Sequence, residues 1–202
     1  MPSQHRDSLA TGDRLETSQE GRSLPIATAL LQQSSQLGDR EIGFRAIACP
    51  DDEPFLARVY ASTRAEEMAM VDWNDEQKAD FLQMQFHAQH SHYQEHYADA
   101  EFLIICAGDR PIGRLYIARW EDEFRIIDIA LLSAERNRGV GSAILTTILS
   151  QARQEGLAVR IHVEQFNPAM RLYRRLGFDR IGDAGVYYLM EWLPSIHVSH
   201  FN

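Results

Sequence analysis

Apolar positions are sparse along residues 1–40 and dense thereafter, and the period at which they recur marks out successive elements. The first 40 residues are rich in Ser, Gln, Thr, Gly, Asp and Arg, with little periodicity. Such a segment buries too little surface to offset its ordering entropy, so it is expected to form a flexible leader, with residues 24–31 as a short helix inside it. Patterned sequence begins at Ile42, and residues 44–48 read as a short strand ended by Cys49-Pro50. Asp51 or Asp52 then caps a helix with Pro54 in its first turn; it carries Phe55, Val59 and Tyr60 and ends near Met70. Asn74 followed three residues later by Gln77 is a capping-box start for a second helix that reaches His96.

The period then shortens. Residues 101–107 and 112–120 read as antiparallel strands joined by Gly108-Asp109-Arg110-Pro111, and an acidic turn at 121–123 leads into residues 124–132. That last run is almost continuously apolar, as strands covered on both faces are, so it marks the middle of the sheet. Val140, Ile144, Leu145, Ile148, Leu149 and Ala152 recur at helical spacing, and Gly156 stands where a left-handed C-terminal residue belongs. A strand at 158–163 precedes a helix capped by Asn167 with Pro168 at its first position, Ala169, Leu172, Tyr173 and Leu176 on one face, and Gly177 as its stop. Residues 178–181 and 186–192 close the sheet as a hairpin. The expected organisation is one folded domain over residues 41–193, with a tail at 194–202.

Composition narrows the function classes. The 202 residues are 45% hydrophobic and 24% charged, ordinary for a soluble domain, and the formal net charge is −9. That balance argues against a sequence-independent nucleic-acid binder, which needs surplus Lys and Arg, and suits an amine-bearing partner. Cys49 and Cys106 are too few for a disulfide framework and lie in no zinc-ligand spacing, which fits a reducing cytoplasm. The start of the chain lacks the apolar region of a secretory signal, and no stretch reaches the roughly 18 apolar residues of a membrane span.

The chemistry concentrates at Arg136-Asn137-Arg138-Gly139-Val140-Gly141-Ser142, between the central strand and an amphipathic helix. A helix N-terminus presents unpaired N–H groups, and glycine lets an anion approach the backbone closely. The run lacks the third glycine of a dinucleotide fingerprint and the Gly-Lys-Ser/Thr of a P-loop. A tight turn with solvated arginines would explain the glycines alone. With its flanking elements, however, the run resembles the Q/R-x-x-G-x-G/A cofactor motif of the GNAT N-acetyltransferase superfamily, met by Arg136, Gly139 and Gly141. Asn167-Pro168-Ala169-Met170-Arg171-Leu172-Tyr173-Arg174-Arg175-Leu176-Gly177-Phe178 is similar to that superfamily's N-x-x-A-x-x-L-Y-x-x-x-G-F signature. The resemblance covers residues 42–193 and is strongest from Asp128 to Phe178.

The resemblance implies an α/β (α+β) fold: a mixed, mostly antiparallel sheet of six to seven strands, about four flanking helices, and a V-shaped splay between the two central strands. It implies acetyl-CoA as cosubstrate, with no metal. Backbone at Ile129, Ala130 and Leu131 would pair with the pantetheine arm, residues 136–142 would hold the pyrophosphate, and Asn167 and Tyr173 would complete the cofactor site. The implied reaction is direct attack of an amine on the thioester in a ternary complex. Tyr173 matches the superfamily's proton donor to the leaving thiolate, against the alternative that it only packs in the core. His162 stands where some members carry a glutamate base, with Glu164 on the same strand face to orient it or act through water. A hydrogen-bonded structural histidine is the competing reading.

Asp128, a carboxylate in an apolar strand, must be paired or shifted in pKa and reads first as structural. Arg125 stands where other branches place a catalytic glutamate, a departure from the pattern. In the superfamily the first two helices shape the acceptor pocket, which singles out Trp73, Gln85, Gln89 and Tyr93. His92 and His96 lack the glutamate of an H-E-x-x-H zinc site. The expected partner is an amine-bearing small molecule or a peptide or protein amine, not nucleic acid or membrane, for a monomer or homodimer. The alternative is a non-catalytic acyl-CoA-binding module, which would keep the loop without needing Tyr173 or His162.

Overall fold

The computed structural model describes residues 35–194. The chain runs β1 (Ser35–Leu37), β2 (Arg40–Ala46), α1 (Glu53–Thr63), α2 (Ala65–Ala69), α3 (Asp75–His96), β3 (Glu101–Ala107), β4 (Arg110–Arg119), β5 (Glu123–Leu131), a 3-10 turn (Ser133–Glu135), α4 (Val140–Glu155), β6 (Ala158–Glu164), α5 (Met170–Arg175), β7 (Asp179–Ala184) and β8 (Tyr187–Trp192). The strands form one sheet in the order β1-β2-β3-β4-β5-β6-β8-β7, antiparallel throughout except for the β5–β6 pair.

The architecture is the expected mixed, mostly antiparallel one, with eight strands among the described residues where six to seven were expected and five helices where about four were. The additional strand is β1, whose residues pair with Arg40–Ile42 and so bring part of the stretch read as leader into the sheet. Residues 1–34, including the short helix expected at 24–31, and residues 195–202 of the tail lie outside the described residues. The additional helix arises because the segment read as continuous to Met70 breaks at Arg64. Ser62 and Thr63 donate their hydroxyls back to Val59 O and Tyr60 O at 2.8 and 2.7 Å, contacts that bend or end a helix.

Asp52 is the residue before α1, but its side chain makes no cap hydrogen bond. Its carboxylate instead accepts both Arg45 guanidinium nitrogens at 2.6 and 2.7 Å and the Ala48 N–H at 2.8 Å, pinning α1 to β2. Asn74 and Gln77 form the full capping box of α3. Gly156 closes α4 in the left-handed conformation, φ 70°.

Both faces of the sheet are covered. On one, Val140, Ile144, Ile148 and Ala152 of α4, with Tyr173 of α5, pack on Leu115, Ile117, Ile126 and Ile161. On the other, Leu56, Val59 and Tyr60 of α1 and Phe86 of α3 pack on Ile104, Cys106 and Ala130. A β-bulge at the centre sets the site. Tyr116 of β4 faces Asp128 of β5, while its neighbour Ile117 faces Ile126, so Ile127 is an extra residue without a partner. Side chains alternate between faces along a strand, and one inserted residue reverses the alternation. Phe124 and Ile126 therefore point toward α4, whereas Asp128 and Ala130 point toward α1 and α3. Without the bulge, Asp128 would be driven into the apolar layer beneath α4.

Candidate active site

β5 and β6 pair only from Glu123↔Ala158 to Ile126↔Ile161, and pairing stops where the bulge begins. Below the split the strands are tied together: Glu123, 1% exposed, accepts from Arg125 and Arg160, and Arg160 also donates to Glu191 at 2.6 Å. Above it they diverge around a cavity of about 180 Å³. Residues 127–130 of β5 and 161–164 of β6 form two of its walls, with Asn167 and Tyr173 beyond β6 and Gln89 and Tyr93 from α3 opposite.

The residues singled out in the sequence distribute as follows. Ile129, Ala130, His162, Glu164, Asn167, Tyr173, Gln89 and Tyr93 all line the cavity. Leu131, Trp73 and Gln85 do not. Trp73 lies edge-on to Phe81, with ring centroids 5.3 Å apart. Asn167 turns its Oδ1 to accept the Ala169 N–H at 2.9 Å, so its oxygen starts the α5 turn.

Tyr173 is 4% exposed, its ring edge-on to Phe178 at 5.5 Å, while the residue also borders the cavity. Core packing and access to the site are thus combined in one side chain. Burial, and then the negative charge of Asp128, push its hydroxyl well above the ordinary tyrosine value, so it stays protonated. His162 is held below the usual histidine value by burial and by the Arg125 cation, so the ring is neutral at neutral pH. Its Nδ1 lies 3.4 Å from Arg125 Nη1. A guanidinium only donates, so this contact makes Nδ1 the acceptor and leaves the ring proton on Nε2.

The 136–142 loop combines left-handed backbone with an open helix start. Asn137 and Gly139 adopt left-handed backbone, φ 58° and 83°. The first α-helical bond of α4 runs from Ala143 N to Gly139 O at 2.9 Å, so the N–H groups of Val140, Gly141 and Ser142 precede the ladder. A Cβ on Gly141 would meet only Leu172 Cδ2, at 3.4 Å. Arg136 turns away from the loop: its Nε donates to Leu131 O at 3.0 Å, and Nη2 to Ser62 O and Oγ at 2.8 and 3.0 Å. It braces the end of β5 against α1. Arg175 of α5 reaches Ser142 Oγ at 3.0 Å and brings a cation beside the helix start.

Beneath the loop, Glu135 is 3% exposed and accepts from Arg40 and Arg110, each at 2.7 Å, with Arg138 at 3.7 Å. Burial raises its pKa, but the two hydrogen bonds and their charges outweigh that and hold the carboxyl below the ordinary range. A depressed carboxyl contributes stability that is fully present above the unfolded value, near ~4.3, and is lost as pH falls through the folded one. Glu135→Gln should therefore cost about 1.5–3 kcal/mol at pH 7, with the difference from wild type shrinking by pH 3 in urea unfolding.

Several cavity residues escaped the sequence reading: Arg114 of β4, Tyr60, Thr63 and Arg64 at the end of α1, and Tyr187 of β8. Arg114 was the most legible, a cation in the interior of β4 between its terminal arginines, as Asp128 is the carboxylate in the interior of β5. Arg114 Nη2 donates to Asp128 Oδ2 at 2.5 Å and to Gln89 Oε1 at 2.8 Å. Arg64 reaches from the α1–α2 junction to Glu164 at 3.3 Å.

Comparison with known proteins gives this geometry a context. The sequence model of the acetyltransferase (GNAT) family matches residues 65–178. A curated mouse protein, probable N-acetyltransferase family 8 member 5, is 26% identical over 96 residues, which is 46% of this chain and 39% of that protein. The chain thus spans about two-fifths of that relative. Among solved structures, the PaiA N-acetyltransferase of Thermoplasma acidophilum in complex with coenzyme A aligns with a TM-score of 0.57 at 16% identity, covering 75% of this chain and 98% of that one. An acetyltransferase from Thermus thermophilus aligns with a TM-score of 0.54 at 16% identity, over 75% and 96% of the two chains. At these identities the structures share the fold.

Proposed function

The chain belongs to the acetyltransferase (GNAT) family, and from that premise we propose that it transfers an acetyl group from acetyl-CoA to a primary amine by direct attack in a ternary complex. The observation that carries this reading is the cavity at the β5–β6 divergence, bordered by Ile129, Ala130, Asn167 and Tyr173. The cofactor fits the residues present: no Cβ at Gly141 blocks approach to the free N–H groups of α4, and Arg138 and Arg175 supply nearby cations. When bound, acetyl-CoA supplies an activated thioester carbonyl. Backbone at Ile129 and Ala130, on the wall β6 leaves uncovered, would position that arm and polarise the carbonyl.

The remaining steps are proton transfers. Tyr173, kept protonated by its surroundings, would donate to the departing thiolate. An ammonium must lose a proton before it attacks, and the edge of β6 offers Glu164 and His162. Glu164 is the better acceptor, because the Arg125 contact leaves His162 with a donor at Nε2. Glu164→Gln should lower kcat/KM about 10²-fold, the low end for losing a general base, whereas His162→Gln should stay within about threefold. Equal losses in both variants would return the role to His162. The reading itself is tested by mass spectrometry after incubating the chain with acetyl-CoA and n-butylamine, spermidine, lysine and an alanyl peptide. It requires a mono-acetylated product from at least one; none, despite bound acetyl-CoA, would contradict it.

A further inference from the structure

Resting on the acetyl-transfer reading, we propose that Asp128, held by Arg114, is the carboxylate on which the acceptor docks as an ammonium ion. Both residues line the cavity. Arg114 is 2% exposed, gives Nη2 to Asp128 and Gln89, and leaves its buried Nε without a hydrogen-bond partner. As a strut this is a poor arrangement. A buried ion pair roughly breaks even against apolar residues of similar volume, and this one also strands a donor. What it achieves is to hold a carboxylate in a fixed position at the wall of a cavity.

Asp128 Oδ2 is committed to Arg114, and Oδ1 has no hydrogen bond among the described residues. The bulge at Ile127 is what turns this carboxylate out of the α4 layer and into the cavity. It directly precedes Ile129, so an amine on Oδ1 stands next to the backbone proposed to hold the thioester. Glu164, the other cavity carboxylate, is already paired with Arg64. Tyr60 and Tyr93 line the same space and give a cation's methylene groups aromatic walls. Asp128 thus binds the acceptor and leaves deprotonation to the β6 edge.

The test is a binding measurement on the full chain with two isosteric probes, n-butylammonium chloride and 1-butanol, followed by saturation-transfer NMR. Wild type should favour the cation by about 10- to 100-fold, the size of one charge-assisted hydrogen bond. Asp128→Asn should bind both probes alike, and Asp128→Glu should keep most of the preference. If Asp128→Asn alone does not fold, the double variant Arg114→Gln/Asp128→Asn removes both buried charges and carries the same expectation. A preference that survives loss of the carboxylate, or none in wild type, overturns the assignment. Failure of the acetyl-transfer reading would appear elsewhere, as absent acetylated product, and leaves this measurement intact.

Discussion

Gly141→Val should abolish acetyl-CoA binding while leaving the fold in place. Gly141 is the second residue of α4 and has no left-handed backbone to lose, and the nearest atom to an added Cβ, Leu172 Cδ2, stands at an ordinary 3.4 Å. The substituted side chain instead covers the N–H groups that precede the helical ladder. Two such charge-assisted bonds, at about 1.5–3 kcal/mol each, amount to a loss of roughly 10²–10⁴ in affinity. Calorimetry with acetyl-CoA and a thermal melt separate the two effects. Gly139 would be a poor substitute for this test, since its φ of 83° and its approach to Leu37 would strain any side chain there. Unchanged affinity in Gly141→Val would remove the phosphate cradle from the account.

Tyr173→Phe should lower kcat by about 10²–10⁴ with acetyl-CoA affinity unchanged, as expected when a proton donor is lost and uniform binding is kept. The ring contact with Phe178 survives the substitution, so the melting temperature should hardly move. Because burial and Asp128 raise the hydroxyl's pKa, wild-type kcat should show no alkaline fall from this group up to pH ~10. A variant as fast as wild type would leave Tyr173 a core residue.

Much of this frame was legible because its signals are local. Asn74 with Gln77, Gly156, and the helical spacing from Val140 to Ala152 each specify their own element. The apolar run of β5 announced its central place, and both sheet faces are indeed covered there. What escaped depended on pairing across the chain. The bulge at Ile127 exists only in the register of β5 against β4, and it decides that Asp128 meets Arg114 rather than the α4 layer. Arg136, read from its motif as a phosphate ligand, is drawn by Ser62, 74 residues earlier, into bracing β5 against α1. The break at Arg64 turned on hydroxyl contacts of Ser62 and Thr63 that helical periodicity does not report.

The central claim, transfer of an acetyl group to an amine in this cavity, is tested most directly by the initial rate of thiol release from acetyl-CoA by the wild-type chain as amine concentration is raised. Release that is negligible without amine and saturates with it is the predicted result. Tight acetyl-CoA binding with no amine-dependent release from any of the amines tried would contradict it and leave a cofactor-binding module.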